Sequence, residues 1–208
     1  MTVLRDTLVQ DSDLTFTDQE PNVLGPNLTV KDSRITLRVK PKMLTLLGVK
    51  FVNCDINAKR SLNNFLWHSA SLDQCRFFGT YVGNDFGNRS DGYSESGGLA
   101  ECDFSDAILD GGRFFGCDMT SVVLPKWPSF TLSMPRNHFE QMADLDWPGR
   151  LGTWARSYSF FPAATEAITE YAPTLMKMYS ITEQEVRVAI SRLPNLLTEI
   201  GCEESNQQ

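Results

Sequence analysis

Histidine is nearly missing from this chain: 208 residues hold only His68 and His138. Neither has a metal-spaced partner, and no HExxH, CxxC, P-loop or GxGxxG pattern occurs. The usual sequence signatures of zinc hydrolysis, thiol redox chemistry and phosphate cradling are therefore absent. No apolar run approaches the roughly 18–20 residues that cross a bilayer. The opening stretch MTVLRDTLVQDSD has an early acid and no apolar core followed by small residues, so a secretory leader is not expected and a cytoplasmic location is. The five cysteines are an odd number without disulfide or zinc spacing, which suits a reducing compartment.

What is present is an ordinary globular composition, 41% apolar and 22% charged, with room for one domain and a sizeable appendage. The net charge of −7 conceals two opposed blocks. Residues 31–60 carry eight bases (Lys31, Arg34, Arg38, Lys40, Lys42, Lys50, Lys59, Arg60) against Asp32 and Asp55. Residues 85–118 carry eight acids (Asp85, Asp91, Glu95, Glu101, Asp103, Asp106, Asp110, Asp118) against Arg89 and Arg113. Asymmetry of this kind concerns partners more than fold.

The strongest pattern is a period of five. In the stretch CDFSDAILDGGRFFGCDMTSVVL, large apolar residues fall at Phe104, Leu109, Phe114, Met119 and Leu124. Small residues stand two places before each, at Cys102, Ala107, Gly112, Cys117 and Val122. Leu46, Phe51 and Ile56 follow the same rule, as do Leu72, Phe77 and Val82. A helix repeats every 3.6 residues and a strand every 2, so neither explains it. One side of a squared coil does. Two residues of each five point inward, three point outward, and each coil bonds to the coils above and below at about 4.8 Å. No single coil can bury its own interior, so several must stack.

The triplets Cys102-Asp103-Phe104, Ala107-Ile108-Leu109, Cys117-Asp118-Met119 and Cys54-Asp55-Ile56 sit where the pentapeptide-repeat family has its A(D/N)LXX motif. Residues 41–124 resemble that family, with departures: several middle positions lack Asp or Asn, and Cys often replaces Ala. The resemblance implies a mainly β protein, a right-handed, four-sided parallel β-helix. The expected organisation is a β-helix over residues 1–124, with its clearest repeats at 41–82 and 100–124 and a loop insertion at 83–99. An α-helical segment, 125–208, is expected to cap its end.

The first forty residues alternate at Leu14 and Phe16, Leu28 and Val30, and Ile35, Leu37 and Val39, which predicts short strands. The stretch NAKRSLNNFLWHS, carrying Trp67 and His68, is expected to bulge from the stack. Beyond Leu124, helices are expected from Ser133 to about Asp144, from Ala163 to Tyr171, and after a capping box at Thr182 and Glu185 with an apolar stripe at Val186, Ala189, Ile190 and Leu193. Asn195 is expected to start a last short helix ending at Gly201. Trp127, Trp147 and Trp154 are expected to fill the junction with the β-helix.

Candidate chemistry is sparse. His68 in a polar bulge reads as a surface or contact residue rather than a base. Cys54, Cys75, Cys102 and Cys117 occupy the small inward position and act there as small apolar residues. The acids of residues 83–99 are wrongly spaced for a calcium loop. No catalytic set, metal or cofactor is expected, and the outward acids, from Asp85 to Asp118, read as a binding face. The family resemblance implies a protein that works through protein contacts. The expectation is an immunity protein occluding a cognate bacterial toxin, such as a basic nuclease domain, drawn to the acidic face. The alternative is a mimic of DNA that engages DNA gyrase. Neither direct nucleic-acid binding nor a membrane is expected.

Overall fold

Strands Thr7–Gln10, Leu28–Lys31, Val49–Val52, Ala70–Asp73 and Gly98–Ala100 lie side by side, all parallel, in one sheet. Strands Asp13–Thr17, Arg34–Arg38, Asp55–Asn63, Arg76–Val82 and Ala107–Asp110 form a second in the same order. A third side starts with Thr2–Leu4, Asn22–Leu24 and Leu44–Leu46. The computed structural model, which describes residues 1–89 and 97–198, is thus a parallel β-solenoid of about four turns followed by a C-terminal segment containing helices.

The rise from one turn to the next is 21 residues through the first turns, four fives and one more: Ser12 meets Ser33, Asp32 meets Asn53, and Asp55 meets Arg76. The extra residue sits at a sharp corner. Asp11, Asp32, Asn53, Gln74 and Glu101 all have left-handed backbones, with φ of 50°, 49°, 49°, 54° and 51°. Asp and Asn enter that region most easily because their short side chains bond locally. The first four corner amides donate to a carbonyl of the next turn, from Asp11 to Lys31 at 3.2 Å through Gln74 to Ala100 at 3.0 Å, and the Glu101 amide donates to the Ser121 hydroxyl at 3.4 Å.

Stacking in register puts like residues over like. The inward column Leu14, Ile35, Ile56, Phe77 begins aliphatic and continues into Phe104, whose ring lies on Phe77 at 4.4 Å and 13°. A second stack runs from Trp67 to Phe86 (5.9 Å, 10°) to Phe114 (5.5 Å, 20°). The strand spacing brings such rings to stacking distance, which adds to the gain from burying them. The two stacks meet edge to face, as Phe86 does Phe104 at 5.0 Å, and next to the corner Ser33, Cys54, Cys75 and Cys102 are small and all buried. The hydrogen bond to Cys75, with burial, pushes the Cys54 thiol up, and the bond to Cys102 helps push Cys75 to about 12.

The period of five locates the core well at Phe104, Leu109 and Phe114, which are fully buried. It fails at Val82: Tyr81 turns inward instead, and Val82 is half-buried. The cause lies one turn below. Gly79 faces Ala58 but Tyr81 faces Leu62, so residues 59–61 loop out as a bulge. Gly79 has φ +96° and lies so close to Ala58 that a Cβ would stand 2.2 Å from its carbonyl oxygen. Trp67 does not bulge; it is 1% exposed and part of the core. Cys117, Met119 and Leu124 are only half-buried, because the last turn ends in the 3-10 turn Met119–Ser121 with no further coil above it. The loop within 83–99 is shorter than expected, since Asp85–Gly87 and Gly98–Ala100 are strands.

The C-terminal segment differs most from expectation. Residues 163–171 are not a helix: Thr165–Tyr171 is a strand. It runs antiparallel to Gly112–Phe115 of the solenoid on one side and to Ser129–Ser133 on the other. Its β-branched Thr165, Ile168 and Thr169 suit a sheet buried on both faces. The helices are Phe139–Ala143, Gly152–Ser157, Ala172–Tyr179 and Glu183–Ile190. The last carries the expected capping box, with Val186, Ala189 and Ile190 buried. Asn195 starts no helix within the described residues; Leu196 bridges Leu132, and the Leu197 amide donates to Thr131. Trp154, Trp147 and Trp127 belong to a second core with Tyr158 and Phe130 rather than to the junction. The junction is the sheet itself, where Ala167 lies over Phe114.

Replacing Phe104 by Ala leaves a ring-sized hole in the column and is expected to cost about 3–5 kcal/mol, read by urea unfolding. Exposed Val123→Ala in the next turn is expected to change stability by less than about 0.5 kcal/mol.

Candidate binding surface

The five corners carry a four-residue signature that becomes visible when the turns are aligned: Asp11-Ser12-Asp13-Leu14, Asp32-Ser33-Arg34-Ile35, Asn53-Cys54-Asp55-Ile56, Gln74-Cys75-Arg76-Phe77 and Glu101-Cys102-Asp103-Phe104. Its first residue turns the corner, the second and fourth point in, and the third points out. The outward column therefore reads Asp13, Arg34, Asp55, Arg76, Asp103, alternating in sign with every turn. Opposite charges one strand apart support each other. Arg76 grips Asp55 with two bonds, Nε to Oδ1 at 2.8 Å and Nη2 to Oδ2 at 2.9 Å, and Arg34 lies 3.6 Å from Asp13. Beside this column the corner side chains are linked as well, Asn53 to Asp32 at 2.7 Å and Gln74 to Glu101 at 2.8 Å. The two columns flank an open groove of about 420 Å³. Spacing of five hides this ladder; spacing of 21 would have exposed it.

The acids expected to form one face are dispersed. Asp85 does not point to solvent. It is fully buried, accepting from Arg113 Nε at 2.6 Å and Arg89 Nη1 at 3.0 Å. A buried carboxylate survives only when paired, and the guanidinium of Arg89 also lies 5.2 Å over the Phe115 ring. Asp110 is half-buried against the C-terminal segment, where Thr174 Oγ1 donates to it at 2.7 Å, and burial raises its pKa. Asp91 and Glu95 lie outside the described residues. Glu101, Asp106 and Asp118 are exposed, and Asp103 half-buried at the end of the charge column. Asp118 accepts from the Thr120 hydroxyl and amide, which lowers its pKa. The basic block is broken up too: Lys31 lies 3.7 Å from Asp32, Arg34 pairs with Asp13, and Arg60 bonds Asp18 at 2.5 Å.

His68 is half-buried in a shallow cleft between Leu44–Leu46, on the third side of the solenoid, and Phe65–Leu66. Its Nδ1 is buried without a partner, and no acid, cysteine or second base lines that cleft. Among the described residues, no group of three or more His, Cys, Asp or Glu converges as metal ligands would. No helix among them is long and apolar enough to cross a membrane. Compared with protein-family models, with curated proteins and with solved structures, the chain matches none.

One carboxyl that sequence reading missed stands at the solenoid's C-terminal junction. Glu170, on the strand Thr165–Tyr171, accepts from Tyr158 Oη at 2.7 Å and Trp154 Nε1 at 3.2 Å. Burial pushes its pKa up to about 7, with the charge of Asp110 adding to the shift. No sequence motif marks it, since its environment comes from distant elements.

Two measurements test these electrostatics. Arg113→Ala leaves the buried Asp85 carboxylate with Arg89 as its remaining cation and is expected to cost about 1.5–3 kcal/mol. Arg76→Ala removes an exposed pair and is expected to cost at most about 1 kcal/mol. Both are read from denaturant midpoints. The raised pKa of Glu170 makes its contribution to folding complete below the unfolded value near ~4.3. That contribution is lost as pH rises through about 7. Stability is therefore expected to fall over that window, and Glu170→Gln to flatten the fall in melting temperature.

Proposed function

We propose that the chain is a non-enzymatic binding protein of the pentapeptide-repeat type, an immunity protein that neutralises a cognate bacterial toxin by one-to-one contact. The observation that carries this reading is the outer column of charges held on a packed solenoid. Its backbone is fixed turn by turn, and its side chains face solvent at a regular rise. Such a surface loses little freedom when a partner docks, which favours tight stoichiometric binding. The acids Glu101, Asp103, Asp106 and Asp118 all lie in the last turns of the solenoid, and all but Asp103 are exposed. Their charge suits a basic partner such as a nuclease domain, whose approach it would accelerate. Mimicry of DNA toward gyrase is the weaker reading, because a phosphate array has one sign and this column changes sign at every turn.

The test is co-expression with the terminal domain of a toxin encoded by an adjacent gene. A 1:1 complex and restored growth are expected, with Asp103→Lys plus Asp106→Lys lowering affinity by at least about tenfold, or about 1.4 kcal/mol. Absence of both complex and rescue removes the immunity reading. Inhibition of gyrase supercoiling by the isolated protein would replace it with the alternative.

A further inference from the structure

The two ends of the solenoid are finished differently. At the C-terminal end the strands Thr165–Tyr171 and Ser129–Ser133 pack on the last turns. At the other end Thr2–Leu4, Thr7–Gln10 and Asp13–Thr17 are each the outermost strand of their sheet among the described residues. Along Asp13–Thr17 the direction of the free bonds is fixed. The Arg34 amide donates to the Ser12 carbonyl at 2.9 Å, in register with Asp13. The amides of Asp13 and Thr15 therefore point away from the stack. Apolar surface is open beside them: Leu4, Val9 and Leu14 are only partly buried, and Leu8 is 59% exposed. Long unpaired edges are rare in native proteins because they recruit another strand.

Charge decides what that strand is. Residues 1–20 hold five acids (Asp6, Asp11, Asp13, Asp18, Glu20) and one base, Arg5. The next turn holds Lys31, Arg34, Arg38 and Lys40 against Asp32. The column that alternates in sign thus ends at this edge on an acid, Asp13, and the residue that continues it is a base. A second copy of this chain would set acid against acid. We propose that this edge binds an extended, basic segment of a partner protein, which adds as a strand to Asp13–Thr17. Its apolar side chains extend the column of Leu14 and Phe16, and its lysines or arginines face Asp13 and Asp11. The proposal builds on the binding reading given above and locates a contact at the opposite end from Asp103.

A fluorescein-labelled peptide of four Lys-Val repeats, with a Glu-Val counterpart, tests it by anisotropy against the full chain. The basic peptide is expected to bind and to weaken with salt, and the acidic one not to bind. Thr15→Pro removes only the outward amide, keeps the internal ladder, and is expected to weaken binding at least about tenfold. Hydrogen exchange on the unmodified chain gives an independent reading, with slowing at Asp13 and Thr15 when the basic peptide is added. Equal binding of both peptides overturns the proposal, as does undiminished binding by a folded Thr15→Pro variant or protection confined to other strands. Self-association abolished by Thr15→Pro would also overturn it, by giving the edge to a second copy. None of these results touches toxin binding through Asp103 and Asp106, so the two readings fail separately.

Discussion

Everything in the N-terminal part depends on registry between successive turns. Once Asp13 faces Arg34, the corner residue, the small inward residue, the charge and the large core residue of every turn are placed over their counterparts. The strand spacing of about 4.8 Å then decides what those positions tolerate. Inward columns accept aliphatic chains or flat rings, as Phe77 on Phe104 shows. The outward column from Asp13 to Asp103 avoids like charge by alternating in sign. Fold and surface chemistry are two results of one vertical rule.

Much of this could be read from the sequence, because a stacked coil writes its period into the chain. The fives at Phe104, Leu109 and Phe114 place the core correctly, since inward positions are filled by size and apolarity alone. The reading slipped where geometry is set by a neighbour out of sequence. Tyr81 replaces Val82 because residues 59–61 bulge one turn below. Asp85 looks like a surface acid in any list of charges, yet Arg89 and Arg113 close over it. The strand Thr165–Tyr171 reads as a helix because glutamate and alanine are good helix formers, and only the waiting edge of Gly112–Phe115 overrides that preference.

The polar groups divide into those buried where they hold the molecule together and those exposed on its surface. Asp85 and Asp110 belong to the first kind, and Glu170 sits with them where the solenoid meets its cover. Glu101, Asp106 and Asp118 belong to the second. Counting charge by sequence block merges these classes, whereas register separates them. The acids left exposed are fewer than the sequence suggests, and they stand on the registered turns of the solenoid.

The strand Thr165–Tyr171 runs against the direction of every solenoid strand beneath it and draws its partners from Gly112–Phe115 and Ser129–Ser133. A growing polypeptide can lay down turn after turn as it leaves the ribosome, each templated by the one before. The uppermost rim must then wait, unsealed, until translation has passed residue 171. Closure follows synthesis of the coil, and a chain truncated before that point would carry stacked turns with an open top.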